Sequence, residues 1–267
     1  MLNPRIISAE PLVFAPFAGW CVLFDNHGPS IRQVKWGGQL LDTDPNAEAN
    51  LLYTACWRTL ERNKTVDLCP LPVHSAHVTF NDCVHAGNLH KISGQQHERW
   101  LTGLPQTTRG ALPEEVKWMQ SELASLRSFR LFMKFDRIDI HEQWSSLVCK
   151  LKAADAVSET VIEELRNCRA KLDQHLVTTL GKPPNDRWSP HVSIAYFVSQ
   201  EAASSARENL PHLNEAFVEE TEGLTLEFTN LAIYAFEDMT SFWRVPPAEE
   251  ETPRHLLRER SASGNES

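Results

Sequence analysis

Three features are missing from this sequence: a basic stripe, a long apolar run and a closely spaced pair of cysteines. The chain has 267 residues and a formal net charge of −9, whereas proteins that bind long nucleic-acid duplexes usually cluster Lys and Arg. We therefore expect no long duplex as a partner. No stretch approaches the roughly 20 apolar residues of a membrane span, so we expect no membrane partner either. A small anionic ligand remains compatible, because a local pocket can be positive within an acidic protein.

The six cysteines are dispersed, and no two of them form a C-x-x-C pair. A disulfide framework is uncommon in a chain of this length, so we predict free, buried thiols in a reducing compartment. The apolar segment 12–24 contains Pro16 and Gly19 and lacks a basic start, so no secretory signal is predicted. We expect a cytoplasmic monomer without a cofactor.

The apolar pattern switches repeatedly between strand and helix periods. Neighbouring strands are too close in sequence for an all-parallel sheet, which predicts two related α+β halves with mostly antiparallel strands. Among the helices, one is expected to open at Asp44, one to be capped by Ser158 and to end at Gly181, and one to be interrupted near Pro211. Residues 247–267 are rich in Glu, Arg and Ser and predict a disordered tail.

Two short phrases share one form: a histidine, a β-branched residue and a small hydroxyl residue. They are His77-Val78-Thr79, in the predicted strand region 74–84, and His191-Val192-Ser193, in region 189–198. Because residues i and i+2 share a face of a strand, each histidine should lie beside its own hydroxyl. Imidazoles transfer protons near neutral pH, and hydroxyls donate hydrogen bonds to phosphoryl oxygens. The pairs therefore predict metal-free chemistry at a phosphorus atom.

Paired motifs of this kind resemble those of the 2H phosphoesterase superfamily, which includes RNA 2′,3′-cyclic phosphodiesterases and 2′-5′ RNA ligase-like proteins. Pro190, before the second histidine, adds to the resemblance, whereas Asn81-Asp82-Cys83 departs from the aliphatic continuation common in the superfamily. The resemblance covers roughly residues 12–246 by element order. It implies one bilobal α+β domain over residues 1–246, with two mostly antiparallel sheets facing a central groove and helices on the outside.

By this resemblance and the chemistry above, His77 and His191 are catalytic, and Thr79 and Ser193 bind the phosphoryl oxygens. The expected enzyme is a phosphoric diester hydrolase that opens a nucleoside 2′,3′-cyclic phosphate or cleaves an RNA-end phosphodiester, so its partner is a small nucleotide or an RNA end. Phe197 has the strand parity of His191 and is predicted to form part of the groove wall. The sequence leaves open which histidine is the acid and which is the base.

Two alternatives remain open. The same fold could serve as a non-catalytic nucleotide- or RNA-binding module, whose histidines bind without turnover. A zinc-dependent hydrolase would instead use a histidine cluster. That cluster consists of His74, His77, His85, His90 and His97. Zinc sites usually pair close ligands on both sides, and no cysteine pair flanks the cluster, so we predict no metal site.

Overall fold

The computed structural model describes residues 3–25, 68–71, 75–92, 114–126, 128–141, 145–182, 184 and 188–245. The described strands are β1 (Ile6–Ala9), β2 (Leu12–Phe14), β3 (Gly19–Phe24), β4 (Leu68–Pro70), β5 (Thr79–His85), β6 (Leu131–His141), β7 (Ser146–Ala153), β8 (His191–Phe197), β9 (Thr225–Phe228), β10 (Leu231–Asp238) and β11 (Ser241–Arg244). The described helices are α1 (Glu114–Ser125), α2 (Ala156–Leu180) and α3 (Gln200–Thr221), with a 3-10 helix at Leu89–Lys91. The helix predicted to open at Asp44 and the predicted tail lie outside the described residues.

Two sheets form the body of the protein. One has the strand order β11-β10-β3-β5 and the other β4-β8-β7-β6-β9, while β1 and β2 form a separate hairpin. Every described strand pair is antiparallel. The predicted α+β class, with mostly antiparallel sheets, is therefore confirmed. The two strands that carry the histidine motifs belong to different sheets, β5 to the first and β8 to the second.

The N-cap of helix α2 lies three residues before the predicted cap, Ser158. The carboxylate of Asp155 accepts a hydrogen bond from the backbone N–H of Ser158 at 2.7 Å, so Asp155 is the N-cap. Ser158 is buried in the first turn, and its hydroxyl accepts from the N–H of Phe132 at 3.1 Å. The helix ends at Gly181 as predicted, because this residue takes the left-handed conformation (φ 67°) that glycine adopts without strain.

Helix α3 continues through Pro211, contrary to the predicted interruption. Its buried face includes Leu213 and Phe217, and the ring of Phe217 stacks on Phe135 of β6 at 5.6 Å. Packing of this face against the sheet outweighs the local cost of proline in a helix.

A single large core joins the helices and both sheets. In β3 the alternate residues Trp20, Val22 and Phe24 point into this core. The ring of Phe24 lies 4.9 Å from that of Phe228 in the other sheet and 6.0 Å from that of Trp188. The opposite face of β3, with Cys21, belongs to a second and smaller cluster. The two sheets thus share one apolar side, and their other faces are available to form a site.

The cysteine prediction holds for the part of the chain that the structure describes. Cys21, Cys69, Cys83 and Cys149 are buried free thiols, and Cys168 is a partly buried one. No described helix combines the length and apolar character needed to cross a bilayer.

Candidate active site

The two motif strands touch at one point, an antiparallel bridge between Val78 and Val192. In such a bridge the residue before one partner lies opposite the residue after the other. His77 therefore lies opposite Ser193, and Thr79 lies opposite His191. The histidines occupy diagonal corners of this square, where Cβ atoms are about 7–8 Å apart. Val78 and Val192, of the other parity, are fully buried in the core.

All four motif residues, His77, Thr79, His191 and Ser193, line one cavity of about 700 Å³. This is within the range of small-molecule sites. Its walls also carry aromatic rings, including Phe17, Phe236 and Phe242. The ring of Phe242 packs on His77 with centroids 4.7 Å apart. The structure thus brings the four predicted residues together on one cavity.

Each motif histidine is held by the same backbone contact. The Nδ1 atom of His77 lies 2.6 Å from the carbonyl oxygen of Ser75, and Nδ1 of His191 lies 2.8 Å from that of Ser189. A carbonyl oxygen only accepts hydrogen bonds, so in both rings Nδ1 carries the proton and donates it. In the neutral ring Nε2 is then an unprotonated acceptor, and in the imidazolium Nε2–H is a donor. The same anchor therefore suits a general base and a general acid.

The serine two residues before each histidine is a signal that sequence reasoning missed. The full repeat is S-x-H-x-[ST], with Ser75 and Ser189 in matching places. It is the carbonyl oxygen of each serine that accepts from the ring. In both motifs, therefore, the histidine ring lies back over the backbone of the residue two positions earlier.

Two bulges in β5 bring Asp82, a residue of unexpected parity, into the cavity, and the second bulge returns His85 to the face of Thr79. The pairing with β3 skips Phe80 and Cys83, which are the extra residues. Beyond Thr79, the cavity face is therefore continued by Asp82 and His85, three residues apart. Strict alternation would not place Thr79, Asp82 and His85 on one face. The segment that departs from the superfamily pattern, residues 81–83, thus supplies a carboxylate to the site.

A bulge in β8 also overturns the expectation for Phe197. The pairing with β7 skips Ile194, so the alternation reverses after Ser193. Phe197 turns into the large core and is 1% exposed. Tyr196 lines the cavity in its place, and its hydroxyl donates to Sδ of Met239 at 3.1 Å.

The surroundings of the two histidines lower both pKa values, chiefly because burial disfavours the charged imidazolium. For His77, the hydrogen bond to Ser75 and the negative charge of Asp82 oppose this effect. For His191, the pKa falls to about 4, because the nearby His141 and Lys150 add positive charge to the effect of burial. The ring of His141, at the end of β6, lies 4.3 Å from that of His191.

His85 has the opposite tautomer to the motif histidines. Its Nδ1 accepts from the backbone N–H of Gly87 at 3.1 Å, so Nε2 of the neutral ring carries the proton. His90 is exposed on the 3-10 helix and does not line the cavity. His74 and His97 lie outside the described residues. Among the residues that are described, no group of three or more His, Cys, Asp or Glu side chains is arranged to hold a metal ion.

No protein-family model and no curated protein matches this chain. Among solved structures, the conserved protein of unknown function ATU0111 from Agrobacterium tumefaciens aligns with a TM-score of 0.53 and 18% identity, over 91% of this chain and 90% of that one. Usb1 of Kluyveromyces marxianus with uridine monophosphate aligns at 0.35 and 13%, over 86% and 97%. TT0787 of Thermus thermophilus aligns at 0.36 and 13%, over 72% and 90%. The first match shows a shared fold, and the other two are too distant to indicate an activity.

Proposed function

We propose that this protein is a metal-independent phosphodiesterase of the 2H type, acting on a nucleoside 2′,3′-cyclic phosphate or on an RNA-end phosphodiester. The observation that carries the proposal is the matched pair of histidines on one cavity, each anchored through Nδ1 to the carbonyl oxygen two residues earlier. Neither Nε2 has a hydrogen-bond partner among the described residues, so both remain able to exchange a proton with a ligand.

In the proposed reaction, the oxygen of a water molecule bonds to phosphorus while the bond from phosphorus to the 2′ or 3′ ribose oxygen breaks. One neutral imidazole takes the proton of the water through Nε2. The other imidazole, protonated, gives its Nε2 proton to the departing ribose oxygen. The hydroxyls of Thr79 and Ser193 donate to the non-bridging oxygens, where negative charge builds in the transition state. The product is a ribose phosphomonoester.

The arrangement of the four groups supports an in-line displacement. The antiparallel bridge puts each hydroxyl opposite the histidine of the other strand. A phosphoryl group at the centre of the square would have an imidazole at each of two diagonal corners and a hydroxyl at each of the other two. This is the relation that an attacking water and a leaving oxygen require of their base and acid.

The experiment is turnover of uridine and adenosine 2′,3′-cyclic phosphates in the presence of EDTA, with products identified by phosphorus NMR. We expect His77→Ala and His191→Ala each to lower kcat/KM by about 10²–10⁴-fold. His90→Ala, an exposed histidine away from the cavity, is the matched control and should retain activity. Activity that survives either motif substitution, or that requires added zinc, would contradict the proposal.

One observation favours a second candidate, the non-catalytic binding module. Because both pKa values are lowered, few molecules near neutral pH hold one imidazole protonated, and an acid–base pair needs one proton. A binding module would retain uridine 3′-phosphate with no product released from the cyclic phosphate over hours. Turnover that exceeds the enzyme concentration many times, at any pH between 4 and 8, would exclude this candidate. The cytoplasmic location and the monomeric state stay predictions.

A further inference from the structure

Lys182 is a buried cation that lines the same cavity as the motif residues. It follows Gly181 at the end of α2, and only 4% of its surface is exposed. Lysine is rarely buried to this degree without a partner, because an ammonium ion loses its hydration in the interior. Among the described residues, its ammonium group has neither an ion pair nor a hydrogen bond.

Asp173, a buried carboxylate on the preceding turns of α2, already has partners. Asp173 accepts from Arg169 at 3.3 Å and from the side-chain amide of Asn81 at 3.1 Å. Both Asp173 and Lys182 act electrostatically on Cys83 of β5, which places them in the same region beneath that strand. One of these two buried charges, Asp173, is thus neutralised, whereas the other, Lys182, has no counter-charge among the residues that the structure describes.

The lining of the cavity is more positive than the protein as a whole. The chain has a net charge of −9, yet among the described residues that line the cavity three are cationic and one is a carboxylate. The cationic residues are Arg5, Lys91 and Lys182, and the carboxylate belongs to Asp82. The guanidinium of Arg5 lies between the rings of Phe17 and Tyr196, at 4.9 and 5.2 Å from their centroids, and its buried Nε has no hydrogen-bond partner among the described groups. A local reversal of charge of this kind attracts anions.

We propose that Lys182 is the centre of a second anion subsite, which binds a second phosphate group of a substrate whose first phosphate lies between the two motif histidines. The inference rests on the proposed function for the position of the first phosphate. Lys182 is separate from the square of motif residues, since it comes from the end of α2 and acts on the second half of β5. The substrate class is therefore a nucleotide with two phosphates. The second phosphate is either a terminal monoester or the next diester of an RNA chain.

The test is calorimetric binding of three product analogues, which requires no turnover: uridine 3′-phosphate, uridine 3′,5′-bisphosphate and the dinucleotide UpUp with a 3′-phosphate. We expect a two-phosphate ligand to bind at least about tenfold tighter than uridine 3′-phosphate, since a charge-assisted hydrogen bond has that strength. Lys182→Met should remove this advantage and leave uridine 3′-phosphate binding unchanged, whereas Lys182→Arg should retain most of it. Lys171→Met, an exposed lysine of the same helix, is the matched control.

The three ligands also identify the source of the second phosphate. An advantage confined to the bisphosphate indicates a terminal monoester, and one confined to UpUp indicates an RNA chain; either supports the subsite. Equal binding of all three ligands, or an advantage that Lys182→Met leaves intact, would overturn it. Lys182→Gln replaces the Met variant if that one does not fold. Because these readouts do not depend on hydrolysis, an inactive protein with a Lys182-dependent preference would refute the proposed function and leave the subsite standing.

Discussion

The two motif strands give their histidines the same hydrogen bond but different neighbours. His77 packs against the ring of Phe242, and the negative charge of Asp82 acts to raise its pKa. His191 feels Asp82 as well, but it also lies 4.3 Å from the ring of His141 and close to Lys150. The two histidines therefore have matching hydrogen-bond geometry but different charged neighbours. Two cationic neighbours, His141 and Lys150, oppose protonation of His191, and neither is among the causes that act on His77.

This asymmetry bears on the question that the sequence leaves open. A general base must be neutral before it acts, and a general acid must be protonated. With its pKa at about 4, His191 is neutral at every pH well above that value. The pKa of His77 is also lowered, but no cationic neighbour is among the causes, and the negative charge of Asp82 favours its protonated form. We expect His191 to be the base and His77 the acid.

The largest expected effect separates these roles through the leaving group. His77→Ala should lose about 10²–10⁴-fold in kcat/KM on a 2′,3′-cyclic phosphate. It should lose far less on a 4-nitrophenyl phosphodiester, because 4-nitrophenolate departs without a proton. His191→Ala should lose comparably on both substrates, since both need an activated water. Steady-state rates on the two substrates decide the matter, and the reverse pattern would exchange the two roles.

The next effect concerns the hydroxyls, which the bridge places symmetrically. Thr79→Val and Ser193→Ala should each lower kcat by about 10²-fold with smaller changes in KM, because they remove donors to oxygens that gain charge in the transition state. Ser204→Ala, a hydroxyl exposed on α3, controls for unrelated effects. Unequal losses would show that the phosphoryl group sits closer to one strand. No loss from either variant would remove the hydroxyls from the chemistry.

The residues that the sequence placed correctly depend on local structure, and those that it missed depend on pairing with distant strands. Alternation along a strand correctly put His77 beside Thr79 and His191 beside Ser193, because no bulge falls within either motif. It failed for Phe197 and Asp82, each of which lies beyond a single bulge. An extra residue such as Ile194 or Phe80 is determined by the pairing with a partner strand, and a single strand's pattern does not contain that information.

The remaining site residues depend on tertiary contacts alone. His141 comes from the end of β6 and Lys182 from the end of α2. Neither has a neighbour in sequence that marks it as part of the site. The fold class was accessible because apolar periods report which face of each element is buried. The convergence of groups from many separate elements on one cavity is accessible only once the elements are packed.

A third prediction is the pH optimum. If His191 is the base, kcat/KM should rise as pH increases past about 4, where His191 loses its proton. If His77 is the acid, kcat/KM should fall as pH increases past its own pKa, which burial holds below the ordinary 6.5. The free enzyme should therefore work best below pH 6.5, in a bell-shaped profile. An optimum above pH 7 would contradict these pKa assignments. Titration of the ring nitrogens by NMR checks both pKa values without any turnover.

The smallest expected effect tests the cause of the asymmetry itself. His141→Gln removes the positive charge that opposes protonation of His191, so the pKa of His191 should rise. The acidic limb of kcat/KM should then move up by about 0.5–1 pH unit, and the basic limb, set by His77, should stay in place. His212→Gln, an exposed histidine on α3, should move neither limb. If His141→Gln shifts only the basic limb, the two histidines have exchanged roles. If the limbs stay fixed while the NMR pKa of His191 rises, the acidic limb does not belong to His191.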